Sequence, residues 1–200
     1  MNQLNKKINV LVSGAGGDVA QGVIKCLQSS SLYMDIYKIS SSQQDSWLFI
    51  DNLSFICPRA DSENYIDYLC NFIKNHNIDV FIPCIDSEIL LISKHRKFIE
   101  EEASTRVFVG DIEKINICDD KFLTSKFLKE NNFSYPKTCL LNDINIDIDY
   151  PLILKSRKGC GSKDIKIIKS NSDLPSERKE EYILQEYLEG DENTAGVYLG

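Results

Sequence analysis

Short apolar runs alternate with segments of helical periodicity through the first half of the chain. Continuous runs such as residues 8–12 are typical of strands buried on both faces of a sheet. The predicted strands are 8–12, 33–39, 53–57, 79–83 and 106–109, with helices after residue 18, at 61–76, at 86–92 and on to about 102. The first helix is predicted to bury Val19, Val23, Ile24 and Leu27. This alternation predicts an α/β fold with a parallel, doubly wound sheet that binds ligands at the carboxyl ends of its strands.

The pattern changes after about residue 110. Helices are predicted at 111–117, after a cap at Asp119, and at 172–180; strands are predicted at 137–141, 151–155, 165–168, 182–185 and from 194 to 199. Such a mixture predicts a small α+β unit. We therefore divide the chain into a first domain at 1–112 and a second at 113–200.

Composition narrows the class of protein. The chain has 200 residues, of which 42% are hydrophobic and 26% charged, and its formal net charge is -7. These values are typical of a globular protein and argue against general binding to nucleic acid or to a membrane surface. No apolar segment reaches transmembrane length, so we expect a cytoplasmic protein. The chain has seven cysteines, none of them in a C-x-x-C pair, and only two histidines. This composition argues against a zinc site and against a disulfide framework.

A basic, glycine-bearing loop follows the predicted strand 151–155. Residues 155–169 hold six Lys or Arg against one Asp, in an otherwise acidic protein. Gly159 and Gly161 allow the backbone to approach a ligand closely and to turn its N–H groups toward it. No aromatic residue lies in the segment, so the stacking platform expected for nucleic acid is missing. The pattern favours a small anion such as a phosphate, with a solvated basic turn as the alternative.

Lys121 stands in the first turn of a predicted helix, where a cation opposes the helix dipole. Asp119 and Asp120 could compensate its charge. A phosphate between Lys121 and Lys155 would explain the placement better.

The glycine turn after the first strand has three interpretations. Gly14 and Gly16 match the first two positions of G-x-G-x-x-G, but Val19 stands at the third. The second strand ends near Lys38 and Ser40, without the acidic residue that a nicotinamide dinucleotide needs. The turn, which includes Gly17, is therefore a dinucleotide site, a tight strand-to-helix connection, or an anion site at a helix N-terminus.

Two further segments carry chemistry. Asp86 is predicted as a helix cap with Glu88 in the first turn, and the helix dipole is sufficient to explain both residues. The alternative is contact between Glu88 and a substrate amine. In segment 182–192, the backbone at 186–188 could pair with an adenine edge, and Glu192 could accept from ribose hydroxyls. The alternative for this second segment is an ordinary strand and turn.

The motifs together resemble those of the ATP-grasp superfamily, in particular carbamoyl-phosphate synthase large-chain-like and PylC-like proteins. The matching segments, in the family's order, are 10–17, 82–90, 119–124, 135–138, 151–155 with 159–162, and 185–192. The resemblance implies a preATP-grasp Rossmann-like parallel-sheet domain, followed by the α+β first lobe of an ATP-grasp domain.

The resemblance also implies roles for individual residues. The cofactor-binding positions are Lys121 and Lys155 for the nucleotide, Gly159, Cys160, Gly161 and Ser162 for the loop over the phosphates, Gln185 for the adenine amino group, Glu186, Tyr187 and Leu188 for the hinge, and Glu192 for ribose. The substrate-binding positions are Gly14, Gly16, Gly17, Asp86 and Glu88. Many relatives follow the ribose Glu with an aromatic residue, Thr and a later Asp. Here Asn193 and Thr194 stand next, and Gly196 replaces that Asp.

Family members use ATP and Mg²⁺ to activate a carboxylate as an acyl phosphate, which an amine or another nucleophile attacks. We therefore expect small-molecule carboxylate and amine substrates, with a homodimer as the expected assembly. The metal ligands are expected beyond residue 200, so residues 1–200 alone are predicted to be inactive. The two rival hypotheses are an NAD(P)-dependent oxidoreductase and a non-catalytic nucleotide-binding ATP-grasp relative.

Overall fold

The computed structural model describes residues 6–143, 147–159, 165–191 and 193–197. The chain forms two compact units, Met1–Ile115 and Asn116–Gly200. The first unit is built on a parallel sheet and the second on an antiparallel one. The α/β class expected from the sequence is confirmed.

The parallel sheet of the first unit has the strand order β3-β2-β1-β4-β5. Its elements are β1 (Ile8–Ser13), α1 (Asp18–Gln28), β2 (Met34–Ser40), β3 (Ser54–Ile56), α2 (Tyr65–His76), β4 (Val80–Ile82), α3 (Asp86–Ala103) and β5 (Arg106–Val107). Since β1 is central, the chain winds outward on both sides of it, and the loops after β1 and β4 are neighbours at the carboxyl edge. The backbone N–H of Cys84 donates to Ser13 Oγ at 3.0 Å across these two loops.

Successive residues of β1 bury opposite faces. Leu11 packs with the side chains of α2 and α3, whereas Val10 and Val12 pack with Ala20 and Ile24 of α1. Both faces of the sheet are therefore covered, which explains the continuous apolar run. The expected face of α1 is corrected at one position, because Val19 is 59% exposed.

The second unit begins within α4 (Ile112–Asp119) and continues with α5 (Lys121–Glu130). Its strands are β6 (Thr138–Leu140), β7 (Leu152–Ser156), β8 (Lys166–Ile168) and β9 (Tyr182–Glu186), in the antiparallel order β6-β9-β7-β8. Leu152, Leu154 and Leu184 lie in the core of this unit. Because side chains alternate along a strand, Lys155 lies on the face of β7 opposite to Leu152 and Leu154.

Three predicted elements differ from the structure. The helix expected in two pieces from residue 86 is the single helix α3. The helix expected at 172–180 is a short 3₁₀ turn, Asn171–Asp173, because Pro175 pushes Leu174 into an extended conformation. Residues 194–197 of the strand expected at 194–199 form no strand, and residues 198 and 199 lie outside the described part.

Within the described ranges, no helix combines the length and the apolar character that crossing a bilayer requires.

Candidate functional site

A half-buried lysine lies on the face of the antiparallel sheet opposite to its leucine core. Lys155 Nζ donates to Gln185 Oε1 at 2.7 Å, from β7 to the neighbouring strand β9. Burial lowers the pKa of Lys155, and the positive charge of Lys121 lowers it further. The two lysines singled out in the sequence therefore influence each other electrostatically in the folded unit.

Lys121 is the first residue of α5, and it reaches toward the end of β7. Its Nζ donates to the Gly159 carbonyl at 2.9 Å and to the Arg157 carbonyl at 3.4 Å. The helix is capped by Asp120, which accepts from the N–H groups of Phe122 and Leu123. The expected cap at Asp119 was wrong by one residue, and the correct cap aims Lys121 at the basic loop.

An ion pair fastens the start of α5 to the end of β7. Arg157 Nη2 lies 2.7 Å from Asp120 Oδ2, and the Asp120 side chain is only 2% exposed. Burial raises the pKa of Asp120, but the Arg157 guanidinium and the capping N–H groups outweigh it and hold that pKa below its usual value. The Lys121 N–H completes the join by donating to the Arg157 carbonyl at 3.0 Å. Sequence analysis did not predict this ion pair. Its signals were the positions of Asp120, directly before Lys121, and of Arg157, two residues after Lys155.

Among the described residues, the ammonium groups of Lys121 and Lys155 donate to uncharged oxygens. Across the ranges that the structure describes, neither forms an ion pair with a carboxylate, whereas Arg157 and Lys158 do. Each ammonium has three N–H donors, so donor capacity is left over on both. An anion is the complementary ligand for this arrangement.

The described part of the basic loop ends at Gly159. Its φ of +94° favours glycine, and a Cβ at this position would meet no other atom. The predicted phosphate-loop residues Cys160, Gly161 and Ser162, and the predicted ribose ligand Glu192, lie outside the described residues.

The segment after β9 is partly used for internal hydrogen bonds. The N–H of Glu186 donates to the Lys137 carbonyl at 2.9 Å, and the N–H of Tyr187 donates to the Pro151 carbonyl at 3.4 Å. The Glu186 carboxylate in turn accepts from the Lys137 N–H at 3.1 Å. Among the described residues, the Leu188 N–H has no hydrogen-bond partner, so the pairing of this segment with an adenine edge stays a prediction that rests on Leu188 among the three N–H groups.

The glycine turn of the first unit is tightly packed. Gly14 has a φ of +62° and lies against Ile85, and Gly17 donates its N–H to the Gly14 carbonyl at 2.8 Å before capping α1. Gly16 packs directly on the Asp45 carboxylate. A negative charge at this place is unfavourable for a dinucleotide pyrophosphate, so the geometry supports the tight turn over the NAD interpretation.

Glu88 is completely buried beneath the same edge of the sheet. Its carboxylate accepts from the Ser13 and Tyr65 hydroxyls and from the N–H groups of Cys84 and Ile85. Burial raises the pKa of Glu88, and these hydrogen bonds offset only part of the rise. Its partners all belong to the first unit, so the carboxylate fixes the loops after β1 and β4.

Asp86 is the first residue of α3 and is exposed. The cap position is Ile85, so the prediction of Asp86 as the cap was wrong by one residue. An exposed carboxylate in the first turn remains favourable for the helix dipole.

Two family models match the chain, one in each unit. The model described as "PylC-like, N-terminal domain" matches residues 23–109, and the model described as "ATP-grasp domain" matches residues 118–199. Together these two matches support an ATP-grasp, PylC-like protein, which is the resemblance that the sequence motifs predicted.

Curated relatives and solved structures agree with this assignment. A carbamoyl-phosphate synthase of Methanobrevibacter smithii is 26% identical over 164 residues, which cover 77% of this chain and 43% of the relative. D-alanine--D-alanine ligase A of Bacillus cereus is 24% identical over 151 residues, which cover 63% of this chain and 49% of the relative. The chain thus spans about half the length of the curated relatives it matches.

The fold is similar to the biotin carboxylase domain of Hydrogenobacter thermophilus 2-oxoglutarate carboxylase, which was solved with MgADP, ADP and bicarbonate. The TM-score is 0.63 at 15% identity, and the match covers 90% of this chain and 44% of that chain.

Proposed function

We propose that this chain is the ATP-binding N-terminal portion of an ATP-dependent carboxylate–amine, or related, ligase that acts through an acyl phosphate. The observation that carries the proposal is the pair of ammonium groups of Lys121 and Lys155. They lie within electrostatic reach of each other, beside the described end of the basic loop, without a carboxylate partner among the described residues. A polyphosphate tail would supply the missing negative charge.

In the proposed reaction, a substrate carboxylate oxygen attacks the γ-phosphorus of ATP. The new O–P bond forms as the bond from the γ-phosphorus to the β,γ-bridging oxygen breaks, and ADP leaves with that electron pair. An amine then attacks the acyl carbon, inorganic phosphate leaves, and the amine nitrogen loses a proton. Lys121 and Lys155 stabilise the charge that spreads over the phosphoryl oxygens.

The activities of similar proteins support this proposal. These proteins include a carbamoyl-phosphate synthase and a D-alanine--D-alanine ligase, and one structural neighbour was solved with MgADP. Mg²⁺ would supply further charge neutralisation. The residues that the structure describes bring no three His, Cys, Asp or Glu side chains together at metal-binding geometry, so no step of this proposal passes through the metal.

For the substrate amine, we propose the carboxyl edge of the parallel sheet, where the Asp45 carboxylate beside Gly16 favours a cation. Gly14, Gly16 and Gly17 form the turn there, and Asp86 is exposed at the start of α3. Glu88 contributes by holding the two loops together, because its oxygens are already occupied by internal donors.

The experiment has a binding part and a chemical part, both on the full-length protein. Titration calorimetry compares ATP with NAD⁺, and we expect heat of binding for ATP only. A panel of carboxylic acids is then incubated with ATP, Mg²⁺ and hydroxylamine, which converts an acyl phosphate to a coloured hydroxamate. ATP binding without hydroxamate for any acid would support the non-catalytic relative, and binding of NAD⁺ in place of ATP would refute the proposal.

A further inference from the structure

Thr138 holds the amide of Gln185 in one orientation. Thr138 and Gln185 are directly opposite each other in the register of β6 and β9, and Gln185 is opposite Ile153 of β7. Directly paired residues share a face of the sheet, as do residues two apart on one strand. Thr138, Gln185 and Lys155 therefore form one row on the face of the antiparallel sheet opposite to Leu152, Leu154 and Leu184.

The hydrogen bonds in this row leave no ambiguity about donors and acceptors. The Thr138 hydroxyl has one proton and donates it to the Pro136 carbonyl at 2.8 Å. The Thr138 oxygen must then accept from Gln185 Nε2, which lies 2.8 Å away. At the other end, Lys155 can only donate, and it donates to Gln185 Oε1 at 2.7 Å.

The reversed amide is unfavourable at both ends. It would place Nε2 against the Lys155 ammonium and Oε1 against a hydroxyl oxygen whose proton is already committed to Pro136. Gln185 therefore presents a carbonyl oxygen toward the lysine side of the site. That oxygen has two lone pairs, and Lys155 uses one of them.

We propose that Thr138 is a positioning residue that sets the purine selectivity of the site, an inference that rests on the proposed ATP-binding function. When Lys155 turns to a phosphate, its bond to Gln185 is lost, and Thr138 alone orients the amide. The remaining acceptor then matches the exocyclic amino group of adenine. It opposes the exocyclic oxygen of a 6-oxopurine, because two acceptors would face each other.

ATP and ITP test this inference, because the inosine base carries an oxygen where adenine carries its amino group. Kd values for both are measured by calorimetry on the full-length protein and on Thr138→Val, which keeps the shape and removes the hydroxyl. We expect the starting protein to prefer ATP by about tenfold or more, and Thr138→Val to lose most of that preference because its amide can turn. Thr138→Ser keeps the hydroxyl and should keep the preference.

A second pair of variants separates positioning from a general packing effect. Gln185→Glu presents acceptor oxygens in either orientation, so its preference for ATP should be at least as strong as that of the starting protein. The double variant Thr138→Val with Gln185→Glu should regain the preference that Thr138→Val alone loses. Since Gln185→Glu leaves Thr138 in place, it gives a result even if Thr138→Val does not fold.

The outcomes distinguish the role of Thr138 in purine selectivity from the proposed binding of ATP. A Thr138→Val protein that folds and keeps the ATP preference would overturn the inference, as would a Gln185→Glu protein that accepts ITP more readily. A starting protein that binds ATP and ITP equally would overturn the inference and leave ATP binding intact. A starting protein that binds neither nucleotide would overturn both.

Discussion

Glu88 and Lys155, two charged side chains that are withdrawn from water to different degrees, differ in how their hydrogen bonds are satisfied. In the first unit, Glu88 is completely buried and accepts hydrogen bonds from Ser13, Tyr65 and the two backbone N–H groups of Cys84 and Ile85. In the second unit, half-buried Lys155 has one hydrogen-bond acceptor among the described residues and a second cation nearby.

The difference between Glu88 and Lys155 distinguishes a polar group that stabilises the fold from one that binds a ligand. A buried group whose hydrogen bonds are satisfied internally stabilises the fold, whereas a partly desolvated charge without a counter-charge is held at a cost to stability. Glu88 belongs to the first kind, and Lys155 to the second. Substitution of Glu88 should therefore change stability, whereas substitution of Lys155 should change ATP binding.

The largest expected effect is the loss of stability in Glu88→Ala. Removing the carboxylate leaves several buried donors without an acceptor, and we expect the free energy of unfolding to fall by about 3 kcal/mol or more. The single tryptophan, Trp47, packs against the core of the first unit, so its fluorescence during urea unfolding reports on that unit. Glu88→Gln keeps an acceptor and should lose clearly less. Equal stability of Glu88→Ala and the starting protein would show that the Glu88 carboxylate does not stabilise the fold.

Asp120→Ala should destabilise the second unit by about 2 kcal/mol, because α5 loses its cap and Arg157 loses its ion-pair partner. Circular dichroism during urea unfolding measures the change. Asp119→Ala is the matched control, since Asp119 is more exposed and lies 3.6 Å from Lys158, and such a pair contributes under about 1 kcal/mol. Similar losses for the two variants would contradict the joining role of the Asp120–Arg157 pair.

Lys155→Met should weaken ATP binding by about 10- to 100-fold, the range expected for the loss of a charge-assisted hydrogen bond. Its thermal stability should be unchanged or slightly higher, because a partly desolvated cation is removed. Calorimetric titration and a melting curve on the same sample test both parts. Lys169→Met removes an exposed cation from the same basic segment and should leave the Kd within about threefold. A Lys155→Met protein that melts at a lower temperature and binds ATP normally would show that Lys155 stabilises the fold and does not bind the nucleotide.

The smallest expected effect is a pH dependence of stability with opposite signs at the two buried carboxylates. The pKa of Glu88 is raised in the folded protein, so its contribution is full below its ordinary value of 4.5 and is lost as pH rises through the folded pKa. The pKa of Asp120 is lowered, so its contribution is present above 3.8 and is lost as pH falls through the folded pKa.

The measurement is urea unfolding from about pH 4 to pH 7, followed by Trp47 fluorescence for the first unit. Glu88→Gln should lose stability less steeply with rising pH than the starting protein, because its side chain does not titrate. Parallel curves for the two proteins would show that Glu88 has the same pKa in the folded and unfolded states.

Patterns along the chain were sufficient to predict the class of fold, the main strands and the two candidate lysines. The run at residues 8–12 and the glycine turn after it are local features, and local patterns report burial and backbone conformation directly. The ordered motifs were sufficient to recognise an ATP-grasp protein. The helix wrongly expected at 172–180 also had a local signal, Pro175, that was not given its weight.

The partners of the polar groups became known from the folded chain. Asp120 and Arg157 are 37 residues apart, Thr138 and Gln185 are 47 apart, and Ser13 and Glu88 are 75 apart. Such pairs depend on strand register and on the placement of helix ends, which no periodicity along the chain encodes. For that reason the sequence identified Glu88 and Lys155 as candidates, but their contacts were needed to show that one carboxylate is satisfied internally and that one ammonium still has donors to offer.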